Sequence, residues 1–366
     1  MERLNQHMLI ELAHTYKTGL VGPKGAQANT VASDYIWECP LPIHKFLICT
    51  IFKAICAARQ LRPLIVIAGS GLTAPIAWLV SRLFGARCIV YLHGLDIEVK
   101  HPVYGLFWRP FFHRFDCVVV NSHFTRQLAL RAGVNPARIH ILHPGVKLPL
   151  MQDRQYHRAA FRRRHDLGDV PIMLYVGRIT SRKGLSIFAE HVMPRVARQL
   201  PTAKLVVIGD NPSLALLRQN DECRSVKDTL ATNGLENRAL FLGSIPPDDN
   251  ELNAAYFAAD VLIFPVQRRP HDNEGFGMVA VEAAAHGLPT VAFAAGGVPD
   301  AVADGTSGRL IPAGDNAAFA MAVIEVLSEP HASMPHASCR NFAEKFSWAS
   351  FGQSIRRICH DVAGTP

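Results

Sequence analysis

The chain contains no Asp-x-Asp triplet, no Cys-x-x-Cys pair and no cysteine–histidine cluster with zinc-finger spacing. The sequence marks of a metal-bridged diphosphate and of structural zinc are therefore missing. The eight cysteines lie mostly in apolar runs, as buried free thiols do, which points to a reducing compartment. The opening residues show no signal-peptide pattern, and there is no tandem repeat or low-complexity run. The apolar stretch 64–80 is interrupted by Gly69-Ser70-Gly71 and Pro75 and closed by Arg82. It reads as strand, turn and helix rather than as a membrane span. Membrane contact is therefore expected to be peripheral, and the protein cytoplasmic, at most at the inner face of a membrane. Charged residues make up only 19% beside 49% hydrophobic ones, which excludes disorder as the main state.

What is present suffices for more than one core, since 366 residues exceed one ordinary domain. The net charge of +8 fits an acidic partner, whether phosphorylated small molecule, anionic lipid surface or nucleic acid, and equally fits a solvated basic surface. No nucleic-acid-binding module or aromatic–basic platform is recognisable, so that partner is not expected.

Leu4, Met8, Leu9 and Leu12 mark a first helix almost at Met1. Short β-rich runs then alternate with helices. Strands are expected at 64–68, 88–92, 117–120 and 139–142, with helices over 73–84 and over 124–132, the latter capped by Asn121-Ser122. After His143-Pro144-Gly145 the composition turns rich in Arg and His over 154–165, and the alternation restarts. Strands are expected at 172–176, 204–208, 239–242, 261–264 and 290–293, with a helix over 185–199 and a broken helix over 213–231. Apolar strands alternating with helices predict parallel, doubly wound sheets. Ligands of such sheets bind beyond the carboxyl ends of the strands, where His93, Asn121, Gly177-Arg178, Gly209-Asp210, Gly243-Ser244 and Pro265 stand.

Glu274-Gly275-Phe276-Gly277, followed by Glu282 on an expected helix, is the densest constellation. The glycine turn lets backbone N–H groups approach an anion at a helix N-terminus. Glu274 is placed to accept hydrogen bonds from sugar hydroxyls, and helical spacing would set Glu282 deeper on nearly the same face, for a second hydroxyl pair such as a ribose. Taken alone, a solvated and a capping glutamate are the commoner explanation of such a pair. Arg178 and Lys183 follow the strand ending at Gly177. Together they suit a diphosphate leaving group, Arg178 as a planar fork and Lys183 as a point charge, although such a pair is often plain surface charge.

Taken as a set, Gly177-Arg178 with Lys183-Gly184, the run from Asn273 to Ala283, and Gly287-Leu288-Pro289-Thr290 with Gly296-Gly297-Val298-Pro299-Asp300 resemble the retaining family-4 glycosyltransferases (glycosyl transferases group 1). Asp260 to Pro265, Gly308 to Pro312, Asn121-Ser122, Pro144-Gly145-Val146 and Phe346-Ser347-Trp348 fall in that family's order. The resemblance implies a GT-B fold: two Rossmann-like domains facing across a cleft. The expected division is 1–147 on the acceptor side, 148–340 for the nucleotide sugar, and a segment 341–366 returning to the first domain. It implies a metal-independent hexosyltransferase acting with retention and without cofactor. Its donor would be a GDP- or UDP-type nucleotide sugar, and its acceptor a glycan, a lipid-linked glycan or a polyol, as in bacterial surface polysaccharide or glycolipid assembly. Arg178 and Lys183 would hold the diphosphate. Glu274 would hold the sugar with the amides of Gly275, Phe276 and Gly277, Glu282 the ribose, and His93 would hydrogen-bond the donor sugar. Front-side displacement is preferred over a covalent intermediate on Glu274.

Two departures stand out. The strand and Gly-Gly turn with which the family opens are missing before the first helix: either the true start lies upstream of Met1, which the intact downstream motifs favour, or the chain is a truncated copy, with a non-catalytic nucleotide-sugar-binding protein as the alternative function. The run Gln267-Arg268-Arg269-Pro270-His271 lengthens the loop before Glu274 and is expected near the donor or an anionic acceptor, or equally as a solvated loop. The basic, aromatic segment 100–114 is a candidate for contact with an anionic membrane, or an ordinary buried helix with surface arginines.

Overall fold

The computed structural model describes residues 2–26, 33, 35–211, 221–246, 249–329 and 334–364. The chain divides into two compact units, one of Met1–Gly145 with Ser347–Pro366 and one of Val146–Phe346.

In the first unit, α1 (Glu2–Ala13) buries Leu4, Met8 and Leu12, the stripe read from their spacing. It packs on the last helix, Trp348–Gly364. There His7 stacks on Trp348 at 3.8 Å between ring centroids, and Arg356 reaches the Glu11 carboxylate at 2.9 Å. Next come β1 (Gly19–Pro23), β2 (Tyr35–Cys39), α2 (Ile43–Leu61), β3 (Ile65–Ala68), α3 (Ala74–Phe84), β4 (Arg87–Leu92), β5 (Cys117–Val120), α4 (His123–Arg131) and β6 (Ile139–Ile141). The pair β1-β2 forms one parallel sheet, and β3-β4-β5-β6, in that order, forms another. The strands β1 and β2 were not legible in the sequence. The first carries Gly19, Gly22 and Pro23, which read as a turn, and the second puts Glu38 inside a short run. Ser122 caps α4 as expected, its hydroxyl accepting from the Thr125 N–H at 3.1 Å.

The second unit holds a six-stranded parallel sheet in the order β12-β11-β10-β7-β8-β9. Its strands are β7 (Ile172–Val176), β8 (Lys204–Ile208), β9 (Ala239–Phe241), β10 (Val261–Phe264), β11 (Thr290–Phe293) and β12 (Gly308–Ile311). The strand order reverses between β7 and β10, which makes the loops after these two the walls of a crevice. All residues of β7, β10 and β11 are buried, which explains their unbroken apolar runs. Helices α5 (Arg154–Arg164), α6 (Asn250–Ala258) and α7 (Met278–Ala285) belong to this unit. The arginine-rich composition of α5 is structural: Arg158 and Arg162 both pair with Asp260, at 2.8 and 2.9 Å, and Arg162 also donates to the Ala258, Gly168 and Val170 carbonyls. The expected helix 185–199 forms with a π-helical turn over Phe188–Val192. Of the broken helix expected at 213–231, the part 213–220 lies outside the described residues, and Glu222–Thr232 is helical.

Candidate active site

Glycines draw the crevice loops together. Gly177, at φ 139°, turns the chain out of β7, and its N–H donates to the Ile208 carbonyl at 2.9 Å. A Cβ on Gly209 would stand 1.9 Å from the Gly177 carbonyl oxygen, so the loops after β7 and β8 touch backbone to backbone. Arg178 is exposed beyond this turn. The short helical turn Ser181–Lys183 follows and ends at Gly184 with φ 72°. A Cβ there would meet the Pro265 carbonyl oxygen at 2.0 Å, just past β10. The Gln267 N–H, on the lengthened loop, donates to the Arg182 carbonyl at 2.8 Å.

This lacing brings three charged side chains into one buried cluster. The Lys183 ammonium lies 2.8 Å from a Glu274 carboxylate oxygen and 4.9 Å from the centroid of the Phe264 ring. The Arg182 guanidinium pairs with the same Glu274 oxygen and, through Nε, with Asp272 at 3.1 Å. Burial pushes the Glu274 carboxyl up, but the charges of Lys183 and Arg182 overcome it and hold the group at about 2. Burial likewise drives Lys183 below its ordinary value. It is only partly offset by Glu274, because Arg182 and Arg178 repel the ammonium. Arg182 is raised: its burial is outweighed by the Glu274 and Asp272 carboxylates.

The backbone of Glu274 is held as well. The Gly297 N–H donates to its carbonyl at 2.8 Å, and a Cβ on Gly296, at φ 56°, would meet that oxygen at 2.4 Å. Gly275 and Phe276 then lead to Gly277, which caps α7 at φ 111°. The first turn of such a helix presents N–H groups without intrahelical acceptors, an arrangement that favours an anion. Phe276 is buried, its ring 5.7 Å from that of Phe346.

Glu282 departs from the expected geometry. Glu274 to Gly277 precede α7 and are not helical, so helical spacing does not relate the two glutamates. Instead, half-buried Glu282 accepts a hydrogen bond from the Tyr256 hydroxyl at 3.1 Å. Tyr256 stacks on His286 at 4.8 Å. The His286 ring sits 2.7 Å from the Glu282 carbonyl and 3.1 Å from the Asn253 side-chain oxygen, and burial takes it down to about 4.

Sequence reading missed Arg182. It stands in the run Ser181-Arg182-Lys183, which offered the signal of adjacent cations but not their directions. It also missed Tyr256, since its partner Glu282 lies 26 residues further along the chain and no local pattern marks the pairing.

In the first unit, His93 follows β4 and is half-buried. Its Nε2 lies 3.0 Å from the Gly69 carbonyl, which can only accept, so Nε2 carries the proton. Burial lowers its basicity and Asp96 only partly restores it, so the ring is neutral and Nδ1 is an acceptor. The Asp96 carboxylate accepts from the His93 N–H at 2.9 Å, and the Asn121 side-chain amide donates to the His93 carbonyl at 3.4 Å. The segment 100–114 is mixed. Phe112 is buried and Trp108 donates to the Leu72 carbonyl at 2.9 Å, while Val103, Leu106 and Phe107 are exposed.

Comparison with known proteins decides the family. Residues 31–145 match the model "Glycosyl transferase 4-like domain" and residues 170–329 match "Glycosyl transferases group 1". The chain is 31% identical over 296 residues to a GDP-mannose-dependent alpha-(1-6)-phosphatidylinositol monomannoside mannosyltransferase of Mycolicibacterium smegmatis, covering 79% of this chain and 74% of that one. The chain belongs to the group 1, family-4 glycosyltransferases. This glycosyltransferase is also 37% identical over 238 residues to a D-inositol 3-phosphate glycosyltransferase of the same species, covering 64% of this chain and 50% of that one. It thus spans about half the length of that second relative. Solved structures place it in the GT-B fold class. HepE of Anabaena, crystallised with UDP and glucose, has a TM-score of 0.78 at 20% identity, covering 98% of this chain and 96% of that one. A glycosyltransferase of Rickettsia africae has a TM-score of 0.80 at 16% identity, covering 100% of this chain and 95% of that one.

Proposed function

We propose that this glycosyltransferase moves a hexosyl group, with retention and without a metal ion, from a nucleoside-diphosphate sugar to a polyol or glycolipid acceptor. The buried cluster of Glu274 with Lys183 and Arg182 carries this reading, because it sets two cations and one ionised carboxylate at the mouth of a strand-order reversal. Arg178 and Lys183 hold the donor diphosphate and, joined by Arg182, stabilise the charge that grows on it as the bond to the anomeric carbon breaks. Glu274 receives sugar hydroxyls beside the amides of Gly275, Phe276 and Gly277. Glu282, steadied by Tyr256, receives the ribose hydroxyls. His93 accepts a hydrogen bond from the sugar through Nδ1.

The chemistry is a front-side displacement. The bond from the anomeric carbon to the phosphate oxygen breaks while the acceptor oxygen bonds to the same face, and the acceptor proton passes to the departing phosphate. Two cations on the Glu274 carboxylate weaken it as a nucleophile, which argues against a covalent intermediate there. Guanine is favoured over uracil because the relative at 31% identity is named for GDP-mannose. Both relatives are named for inositol-containing acceptors, which supports a polyol or its glycolipid, as in assembly of a bacterial surface glycolipid or polysaccharide.

Calorimetry with GDP, UDP and their sugars, on this chain and on Arg178→Ala, tests the donor site. Mass detection of glycosylated inositol phosphates and phosphatidylinositols tests transfer. Binding of one nucleotide, weakened by Arg178→Ala on the order of tenfold or more and accompanied by product, is expected. Binding without any transfer would favour the non-catalytic alternative, and no binding would overturn the donor assignment.

A further inference from the structure

Glu282 is held at both ends by two rings that stack on each other. Its carboxylate accepts from the Tyr256 hydroxyl at 3.1 Å, and its backbone carbonyl lies 2.7 Å from Nδ1 of His286. The Tyr256 and His286 rings are 4.8 Å apart between centroids and 26° from parallel. Phe257 meets the His286 ring edge-on at 4.7 Å, and the histidine is only 4% exposed. A carbonyl can only accept, so Nδ1 carries a proton. Burial, joined by Arg340 and His157, outweighs the Glu282 carbonyl and holds the ring at about 4. The ring is therefore neutral near pH 7 and Nε2 is bare. Nε2 can then only accept, so the Asn253 amide, which stands 3.1 Å away, presents its NH2 there in place of its oxygen. Asn253, Tyr256 and Phe257 all belong to α6, while Glu282 lies in α7 and His286 ends it.

We propose that His286 is a positioning residue for ribose recognition: without touching the nucleotide, it fixes the Tyr256 ring and through it the direction of the Glu282 carboxylate. The proposal rests on the reading of Glu282 as the ribose ligand. A glutamate side chain turns about several bonds, whereas two neighbouring ribose hydroxyls call for one carboxylate orientation. The Tyr256 hydroxyl supplies that orientation only if its own ring is held. The stacked imidazole, bonded through both nitrogens, holds it. A plain cap on the end of α7 would need the Nδ1 bond alone. It would need neither the stack on Tyr256 nor a second bond to α6. A hydrocarbon of similar size would fill the space but leave the Asn253 amide without its acceptor.

Calorimetry on the full chain tests this, with GDP and UDP each beside its 2′,3′-dideoxy analogue. His286→Ala is expected to weaken the ribonucleotide about fivefold, the worth of one lost hydrogen bond, and the dideoxy analogue by less than about twofold. The loss should vanish when His286→Ala is made on Glu282→Gln, since both act through one carboxylate. An equal loss for both nucleotides, or one that persists in the Glu282→Gln background, would make His286 a structural prop and overturn the proposal. So would unchanged binding. If Glu282→Gln itself leaves the ribose preference intact, the ribose reading fails and the proposal falls with it. Loss of that preference in Glu282→Gln but not in His286→Ala sinks the proposal alone. A wild type that binds neither nucleotide removes the donor site and the proposal together. Should His286→Ala misfold by circular dichroism, His286→Phe keeps a ring in the space without either hydrogen bond. It must then show a ribose-selective loss for the proposal to stand.

Discussion

Lys183 and Glu274 meet at 2.8 Å, with side chains only 11% and 16% exposed, on loops that leave neighbouring strands β7 and β10. An ion pair so placed contributes little net stability when intact, but removing one partner strands the other in a poor solvent. Lys183→Ala is therefore expected to destabilise the unit by about 1–3 kcal/mol, less than for an isolated pair because Arg182 remains on the carboxylate. The measurement is chemical denaturation, and a loss under about 0.5 kcal/mol would remove the buried-pair account.

The same pair sets a pH dependence. Glu274 is held at about 2 against an ordinary 4.5. Because the folded value lies below the unfolded one, its stabilisation is complete above the unfolded value and is lost as pH falls towards the folded one. The stability gap between wild type and Glu274→Gln should be constant from neutral pH to about 5 and then shrink by up to about 3 kcal/mol in acid. Urea titrations at stepped pH would show it, and a gap that widens in acid would mean that the carboxyl is not ionised in the fold.

Arg178 should behave oppositely to Lys183. It is exposed and its side chain has no carboxylate partner among the described ion pairs, so Arg178→Ala should leave the melting temperature within about 1 °C while weakening nucleotide binding on the order of tenfold or more. Equal losses of stability in the two variants would contradict the separation drawn here.

Tyr256→Phe removes only the hydroxyl that donates to Glu282. A cost of about 1 kcal/mol in stability is expected. Nucleoside diphosphates should lose affinity by a few fold, and the 2′,3′-dideoxy analogue should not. An equal loss for both would show that Glu282 does not read the ribose.

Gly184→Ala is expected to cost more than any surface change, several kcal/mol in all. A Cβ would collide with the Pro265 carbonyl at 2.0 Å, at a φ of 72° that disfavours alanine. Soluble expression and thermal melting would report it. A stable variant would mean that the loops after β7 and β10 can separate.

The first-laid elements were legible because their signals are local. Buried parallel strands such as Ile172–Val176 and Val261–Phe264 are continuous apolar runs, and Ser122 before α4 is a cap that acts within three residues. The turn Gly275-Phe276-Gly277 was visible for the same reason. The strands β1 and β2 were not, because pairing across fifteen intervening positions rather than propensity makes Gly19 and Tyr35 partners.

By itself, then, the order of residues determined the succession of strands and helices from Ile65 onward, the resemblance to the family, and which glycines, cations and carboxylates stand at strand ends. The tertiary structure decided which of them meet. It put Arg182 beside Lys183 on Glu274, moved Glu282 from a shared helical face to the hydroxyl of Tyr256, and aimed Nε2 of His93 at the Gly69 carbonyl. The physical reason is that hydrogen bonds and ion pairs depend on direction and on burial over a few ångströms. Both arise only when loops far apart in the chain are packed together.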